Sequence, residues 1–391
     1  MFGIYVHIPF CLRKCPYCDF YSVALGRGRP PEADYLRALA AQLERDAPAF
    51  AGSEVSTVYF GGGTPSLMSP SFFKSVLDEI GGRFEIADGA EVSCEVNPGA
   101  ADARWFDGAR AAGVNRVSIG VQSFDEANLR ALGRAHDSRD AMQAVAEAQE
   151  AGFAGVGLDL IFGVEGETTA VLEEDVRTAM AFQPGHVSAY QLTVEEGTPL
   201  CRAMGDRCSD GFAVDEDQGL AQMRIVARML SRGGLARYEI SNFAREGFEC
   251  RHNLNCWRYG EYLGLGAAAA SFALSSSDAS HQSPVTGHEF ARRWTQVRDV
   301  DAYMRGRGQV ETDRIDARTA MGEFCFLGLR KSEGISDRKF EGVFGVSLEE
   351  IFGSTAADLE REGLMERSGE RLTLTPAGME LSDQVFQRFV V

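Results

Sequence analysis

The chain has 391 residues, of which 45% are apolar, and this predicts one large domain and a smaller one with a sizeable core. It has no apolar run long enough to cross a membrane and no signal peptide at Met1–Phe10, so we expect a cytoplasmic protein without a membrane span. The net charge of −18 disfavours nucleic acid as a partner. Nine cysteines, an odd number, favour reduced thiols and metal ligation over a disulfide framework.

Short apolar runs alternate with amphipathic helical patterns through the N-terminal half of the chain. The predicted strands are Gly3–Ile8, Val55–Phe60, Ala90–Glu95, Val114–Ile119, Gly155–Ile161 and His186–Gln191. The predicted helices between them are Glu32–Asp46, Ser71–Gly81, Arg104–Ala112, Arg139–Ala151 and Thr169–Phe182. Strands separated by helices form βαβ units, so the pattern predicts an α/β fold, an open (β/α)6-type partial TIM barrel with active groups on the loops after the strands.

The remaining chain divides into an extension and a C-terminal module. A helix over Asp215–Gly233 and a strand over Ala236–Ile240 complete a barrel domain at residues 1–240. Residues 241–311 form an extension, in which Gly264–Ser277 is rich in small residues and the loop around Ser275–Gly287 is expected to be flexible. Residues 312–391 are predicted to form a helical, winged-helix-like domain, with helices at Ala317–Leu329 and Leu348–Glu362, a strand at Arg371–Thr375 and a final helix.

Three cysteines follow the first predicted strand at once, in the run Cys11-Leu-Arg-Lys-Cys15-Pro-Tyr-Cys18. Three thiolates on one short loop can bind three irons of a [4Fe–4S] cubane, which leaves the fourth iron without a protein ligand. That iron can chelate the amino and carboxylate groups of S-adenosylmethionine (SAM). A zinc site is a weaker alternative, because no fourth cysteine or histidine lies nearby.

Polar or glycine-rich elements stand at the ends of the next strands. They are Gly61-Gly62-Gly63-Thr64 after the second strand, Glu95, Gln122, Asp159 and Tyr190-Gln191. Each alone is weak evidence, since a glycine turn, a surface carboxylate or a helix cap would explain it. Their ordered occurrence at one mouth of a barrel predicts a binding site.

The loop with Tyr17 before its third cysteine resembles that of the radical-SAM superfamily. The preceding stretch Tyr5-Val-His-Ile-Pro-Phe-Cys11 narrows the likeness to the oxygen-independent coproporphyrinogen dehydrogenases and their HemW-type heme-chaperone relatives, over essentially the whole chain. The resemblance implies a SAM pocket with Tyr5 and Tyr17 beside the cluster, Gly62, Gly63 and Thr64 at the methionine part, Glu95 and Asp159 at the ribose hydroxyls, and Gln122 and Arg134 as further polar partners, Arg134 for the carboxylate. Val164-Glu165 replaces the family's usual Leu-Pro, a change expected to alter only a turn.

Three features favour the chaperone branch over the dehydrogenase. The dehydrogenase loop carries a further cysteine where this chain has Phe20, and an N-terminal arm where only ten residues precede Cys11. The run His252-Asn253-Leu-Asn-Cys256-Trp257 resembles the branch's His-Asn-x-x-Tyr-Trp motif, which is linked to heme binding, although Cys256 replaces the tyrosine. Relatives also often carry a proline and a histidine within the stretch from Gly264, and both are absent here.

His252 is therefore the candidate heme ligand, with Trp257 able to pack on a porphyrin face. The alternatives are a buried histidine bonded to backbone, or a zinc site of Cys250, His252 and Cys256. Cys94, Cys201, Cys208 and Cys325 are expected to be buried small apolar residues, and the remaining histidines show no ligand spacing.

The resemblance implies a heme chaperone that binds heme, one [4Fe–4S] cluster and SAM, and delivers heme to an acceptor protein. An electron donor such as a flavodoxin or ferredoxin is the implied partner of the cluster. The alternative is a radical-SAM oxidoreductase such as coproporphyrinogen III dehydrogenase, against which Phe20 argues. A structural or DNA-binding protein would explain neither the cysteine loop nor the residues at the strand ends.

Overall fold

The computed structural model describes residues 1–275 and 289–390. Its strands before the C-terminal module are β1 (Phe2–Ile8), β2 (Phe10–Cys11), β3 (Val23–Ala24), β4 (Glu54–Gly62), β5 (Glu85–Val96), β6 (Arg116–Gln122), β7 (Gly155–Phe162), β8 (His186–Gln191), β9 (Ala236–Arg237), β10 (Asn242–Ala244), β11 (Tyr262–Leu265), β12 (Ala270–Leu274), β13 (Glu289–Thr295) and β14 (Glu311–Asp316). All except β2 and β3 belong to one sheet, in the order β14-β13-β12-β11-β1-β4-β5-β6-β7-β8-β10-β9.

Neighbouring strands from β11 to β8 run parallel, and antiparallel strands extend the sheet at both edges. The helices of this part are α1 (Glu32–Asp46), α2 (Pro70–Gly81), α3 (Ala103–Ala111), α4 (Glu126–Ala131), α5 (Ser138–Glu150), α6 (Thr169–Ala181), α7 (Pro199–Met204), α8 (Glu216–Arg232), α9 (Arg251–Trp257) and α10 (Val300–Met304). Short 3₁₀ turns lie at Ala47–Phe50, Pro65–Leu67 and Gly205–Asp210. The predicted open barrel is therefore confirmed.

The parallel strands place two kinds of side chain on opposite faces. On β6, Val117 and Ile119 are buried in the apolar layer between sheet and helices, whereas Arg116 and Ser118 line the interior cavity. Successive side chains of a strand point to opposite faces, so the alternation follows directly from the sequence. An eight-stranded barrel usually fills its interior with branched apolar side chains. A polar interior on several strands therefore indicates a binding cavity.

The C-terminal module has its own core. It contains helices α11 (Ala317–Leu329), α12 (Asp337–Phe344), α13 (Leu348–Arg361), α14 (Pro376–Glu380) and α15 (Ser382–Gln387), and the antiparallel strands β15 (Ile335–Ser336), β16 (Met365–Ser368) and β17 (Arg371–Leu374). Phe324, Phe340 and Phe352 are central to its apolar cluster. A bidentate ion pair of Arg224 on α8 with Glu380 on α14, at 2.7 Å for both bonds, joins this module to the barrel.

The element bounds agree with the sequence prediction within a few residues for most of the barrel, and α1 and α11 agree at both ends. Three points differ. Only Ala236–Arg237 of the predicted strand Ala236–Ile240 is extended. The small-residue stretch from Gly264 includes the end of strand β11, the parallel partner of β1, and then β12. The predicted final helix is two short helices, α14 and α15. Most of the loop around Ser275–Gly287 lies outside the described residues.

Among the helices of the described ranges, none is both long enough and apolar enough to span a membrane.

Candidate functional site

The three cysteines lie on a loop whose two ends are held together by backbone hydrogen bonds. Cys11 ends β2, which pairs in parallel with β3. The amide of Leu25 donates to the Cys11 carbonyl at 2.8 Å, and the amide of Cys18 donates to the Cys15 carbonyl at 3.2 Å. These bonds close the loop around its cysteines. Cys11, Cys15 and Cys18 therefore share one short, closed loop after β1.

Two polar side chains from other loops, Thr64 after β4 and Arg134 between α4 and α5, contact the cysteine sulfurs. The Thr64 hydroxyl donates to the Sγ of Cys11 at 3.5 Å, and the Arg134 Nη1 donates to the Sγ of Cys15 at 3.6 Å. Arg134 Nη1 also lies 3.4 Å from the Tyr17 hydroxyl. Hydrogen bonds to ligand sulfurs are a means by which a protein tunes a metal centre.

All three cysteines open onto one cavity of about 520 Å³ that extends down the barrel interior. Besides the cysteines, its lining includes Tyr17, Phe20, Tyr59, Gly62, Gly63, Thr64, Ser93, Glu95, Asn97, Arg116, Ser118, Gly120, Gln122, Arg134, Asp159, His186, Ser188, Tyr190, Gln191, Cys250 and Asn253. The size is typical of a pocket for one small-molecule ligand. Of the residues predicted to hold SAM, all except Tyr5 line this cavity.

Tyr5 lies behind the cavity wall. Its hydroxyl is 3.0 Å from the Nδ1 of His7, and its ring stacks against Tyr59 with centroids 6.2 Å apart. It supports Tyr59, which does line the cavity.

Gly62 at the end of β4 and Gly63 after it are required by close packing. A Cβ on Gly63 would lie 2.8 Å from the Phe10 carbonyl oxygen and 3.0 Å from the Sγ of Cys11. Gly62 has φ of 113°, a value that side chains rarely allow, and a Cβ there would lie 2.5 Å from the His7 ring. The backbone at Gly62 and Gly63 therefore lies so close to its neighbours that a residue with a side chain would not fit.

Glu95 and Asp159 are buried carboxyl groups that line the same cavity from β5 and β7. Glu95 accepts from the Gly62 amide at 3.0 Å and from the Tyr59 hydroxyl at 3.0 Å. Burial, and then the nearby charge of Asp159, raise the pKa of Glu95 to about 7. Burial also raises the pKa of Asp159, which accepts from the Ser118 hydroxyl at 2.9 Å. A cationic ligand with hydroxyl groups would offset the cost of both buried charges.

Gln122 and Arg134 complete the rim. Gln122 ends β6 with φ of 68°, an uncommon value for a residue with a side chain, and such strain often marks a functional position. The Nη2 of Arg134 donates to the Asn97 side-chain oxygen at 2.6 Å and to the Gly120 carbonyl at 3.0 Å. Its Nε is buried and has no partner within the described residues.

These observations fit a cluster with SAM. A cubane takes one thiolate at each of three irons, so the thiols need to share a loop but not to converge on one point. The side chain of Ser93, like Arg134 Nε, has a buried polar atom without a partner among the described residues, and both residues line the cavity. Buried polar atoms are nearly always paired, so both indicate a polar ligand.

His252 lies at the opposite end of the barrel from the cysteine loop. Its ring is buried, with Nδ1 2.9 Å from the Thr57 hydroxyl and the ring stacked on Tyr59 at 5.2 Å. Its amide donates to Glu91 at 3.1 Å. Burial lowers the pKa of His252 to about 4. His252 itself does not line the cavity, but its neighbours Cys250 and Asn253 do.

Cys256 and Trp257 are the last two residues of α9. Burial raises the pKa of the Cys256 thiol to about 12, so this thiol is protonated near neutral pH. The Trp257 ring is covered by the Arg330 guanidinium at 4.5 Å, and its Nε1 is buried without a partner in the described part of the chain.

The zinc alternative has no support from these contacts. Cys250 Sγ donates to Glu91 at 3.7 Å, whereas Nδ1 of His252 is bonded to Thr57. Across residues 1–275 and 289–390, no three His, Cys, Asp or Glu side chains are grouped to hold a single metal ion.

Comparison with known proteins identifies families and relatives to which the chain is similar. The model of the radical SAM superfamily matches residues 5–179, and that of the HemN C-terminal domain matches residues 315–381. The heme chaperone HemW of Escherichia coli is 33% identical over 388 residues, which cover 99% of this chain and 98% of the relative. The heme chaperone HemW of Mycobacterium tuberculosis is 36% identical over 396 residues, covering 98% of this chain and 93% of the relative.

The chain belongs to the HemW family of radical SAM proteins. Membership of this superfamily implies a [4Fe–4S] cluster and SAM. Among solved structures, the coproporphyrinogen III oxidase HemN of Escherichia coli, a radical SAM enzyme, is similar with a TM-score of 0.81. The matched region covers 100% of this chain and 90% of the HemN chain, at 21% identity. The likeness therefore establishes the fold and not the reaction.

Several residues of this HemW-family cavity were not predicted as site residues. Asn97 follows β5, and Arg116, His186 and Ser188 occupy alternate positions on β6 and β8. The sequence did contain a signal for these residues. Both faces of a parallel strand are usually apolar, whereas β6 and β8 alternate polar and apolar residues, which marks one face as polar.

Two cysteine expectations were wrong. Cys201 and Cys208 are half-buried and form a disulfide, whereas free, buried side chains were expected. The turn from α7 into the 3₁₀ helix at Gly205–Asp210 brings their Cα atoms within 4.8 Å, a closeness that sequence spacing alone does not show. Cys94 and Cys325 are buried, as expected.

Proposed function

We propose that this protein is a heme chaperone that binds one [4Fe–4S] cluster, SAM and heme, and delivers heme to an acceptor protein. The observation that carries the proposal is the full-length similarity to proteins named heme chaperone HemW, which includes both the barrel and the C-terminal module. Phe20, in place of the dehydrogenase's further cysteine, supports the same choice.

Cys11, Cys15 and Cys18 are the proposed cluster ligands. They share one loop and one cavity, and two of them already receive hydrogen bonds from Thr64 and Arg134. A cluster held by three thiolates supplies an iron that can bind SAM and an electron that can cleave its C–S bond. The donor of that electron is proposed to be a flavodoxin or ferredoxin. We propose a cytoplasmic location, whose reducing conditions suit a low-potential cluster, although the Cys201–Cys208 disulfide is a kind of bond rarely found there.

The proposed SAM residues lie around the part of the cavity next to the cysteine loop. Gly62, Gly63 and Thr64 offer backbone and a hydroxyl at the cysteine loop, while Tyr5 supports the wall from behind. Glu95 and Asp159 are suited to accept from ribose hydroxyls. The other SAM residues predicted from the sequence, at the rim of the cavity, are Tyr17, Gln122 and Arg134. Arg134 supplies a positive charge for the SAM carboxylate. Its buried Nε has no hydrogen-bond partner within the described residues and can donate to that carboxylate.

His252 remains the proposed heme ligand, on the strength of the motif. Its ring is held by Thr57 and Tyr59, so ligation of heme iron requires α9 to move away from β4. Cys256 is the competing ligand, because it stands where the motif has tyrosine. Cys250 and Asn253, at the start of the same helix, already line the cavity.

Anaerobic reconstitution followed by heme titration tests the proposal. We expect about four irons per chain and one heme per chain, the latter followed by its Soret absorbance. A chain that takes up the cluster but shows no saturable heme binding would contradict the proposal.

A further inference from the structure

Asn97 links the two polar side chains that contact cysteine sulfurs. It follows the end of β5, and its backbone amide donates to the Ser66 hydroxyl at 3.2 Å, which fixes its place on the rim. Its side-chain Nδ2 donates to the Thr64 hydroxyl at 2.8 Å. On the other side, its Oδ1 accepts from the Arg134 Nη2 at 2.6 Å.

These two bonds fix the orientation of the Asn97 amide. If the amide were reversed, its NH₂ group would face the guanidinium of Arg134, and two donors would meet. The Thr64 hydroxyl has one proton. Because its oxygen already accepts from Asn97, that proton is free for the Sγ of Cys11, 3.5 Å away. The same bond to Oδ1 holds the Arg134 guanidinium, so that Nη1 reaches the Sγ of Cys15 at 3.6 Å.

One amide therefore orients a donor onto each of two cysteines of the proposed cluster. Hydrogen bonds to the sulfurs of an iron–sulfur cluster help to set its reduction potential. They stabilise negative charge on the sulfurs, and the reduced cluster carries one more negative charge than the oxidised one. Donors at Cys11 and Cys15 thus favour the reduced state.

We propose that Asn97 is a positioning residue that raises the reduction potential of the cluster by orienting Thr64 toward Cys11 and Arg134 toward Cys15. The inference rests on the proposed cluster ligation. Asn97 binds no iron in this account and acts only through its two neighbours.

The variants Asn97→Asp and Asn97→Ala separate this role from a purely structural one. An aspartate still pairs with Arg134, but it accepts the Thr64 proton and so withdraws it from Cys11. It also adds a negative charge near the cluster. Alanine releases both neighbours without adding charge. Thr193→Ala is the matched control, because Thr193 lines the same cavity and its hydroxyl bonds only its neighbour Gln191 among the described residues.

The measurement is the midpoint potential of the reconstituted full-length protein, followed by the EPR signal of the reduced cluster, together with iron content. We expect all variants to keep the wild-type iron content. The potential should fall in Asn97→Ala, fall further in Asn97→Asp and stay unchanged in Thr193→Ala. Unchanged potentials in both Asn97 variants would overturn the proposal, as would loss of iron from both, which would make Asn97 structural. A wild-type chain that assembles no cluster would instead reject the cluster itself and this role with it.

Discussion

Glu95 accepts a hydrogen bond of 3.0 Å from the backbone amide of Gly62. The bond joins the end of β5 to the last residue of β4, and Gly63 after it packs against the cysteine loop. A carboxylate and the cysteine loop are therefore positioned by the same short backbone segment. A substitution in that segment should therefore affect both the cluster and the SAM site, whereas a substitution of Glu95 should affect SAM alone.

Replacement of Cys11, Cys15 or Cys18 by alanine should remove most of the bound iron, because each thiolate holds a different iron of the cubane. The measurement is iron per chain after anaerobic reconstitution. Cys325→Ala is the control, since this thiol is buried in the C-terminal module and should leave the iron content unchanged. Full iron content in all three single variants would refute the ligand assignment.

Gly63→Ala should lower cluster occupancy although it changes no ligand. The added Cβ would lie 2.8 Å from the Phe10 carbonyl oxygen and 3.0 Å from the Sγ of Cys11, so the loop has to shift. Gly81→Ala is the matched control, because the nearest atom to its added Cβ is a flexible methyl of Ile86 at 3.9 Å. Equal iron content in the two variants would show that the loop tolerates the shift.

Glu95→Ala and Asp159→Ala should weaken SAM binding while the cluster still assembles. Each removes a hydrogen-bonded charge, a loss of roughly 1.5–3 kcal/mol or about tenfold or more in affinity. Isothermal titration of the reconstituted protein measures this directly. Glu165→Ala removes an exposed carboxylate from a surface ion pair with Arg207 and should have no effect. SAM affinity that is unchanged in both cavity variants would place the ligand elsewhere.

SAM affinity should rise with pH across neutrality. The pKa of Glu95 is raised to about 7 by burial and by Asp159, so this carboxyl is mostly protonated at about pH 6 and mostly ionised at about pH 8. Only the ionised form offers a full negative charge to the cationic ligand. Affinity should therefore be weaker at the lower pH, and Glu95→Gln should flatten the profile. A profile that is equally steep in Glu95→Gln would assign the dependence to another group.

Much of the fold follows from patterns that act locally. The amphipathic spacing of α1, the apolar run of β7 and the polar–apolar alternation of β8 indicate these elements without reference to the rest of the chain. Strand β11 was missed because it contains Gly264 and is followed by Gly266 and a run of alanines, which do not form a strand pattern. It is extended because it pairs with β1, far away in the sequence. Such pairing is a tertiary effect that propensity does not register.

The candidate site likewise has a part that the local sequence predicts and a part that depends on tertiary contacts. The cysteine loop is a local motif and is evident from spacing, and the glycines and carboxylates at the strand ends follow from barrel geometry. Asn97 is different, because its importance depends on Thr64 and Arg134, which the fold brings to it from the loops after β4 and α4. The burial of His252 beneath Tyr59 is likewise a consequence of where α9 packs, and no feature of the motif itself indicates it.

Heme titration of the reconstituted protein, with a parallel assay for conversion of coproporphyrinogen III, tests the central claim most directly. The heme-chaperone account predicts near-stoichiometric heme binding, and no protoporphyrinogen IX when SAM and reductant are supplied. His252→Ala should shift the Soret band or weaken binding, and a larger change in Cys256→Ala would make that thiol the ligand. Absence of heme binding, together with decarboxylation of coproporphyrinogen III, would contradict the account and establish an enzyme in its place.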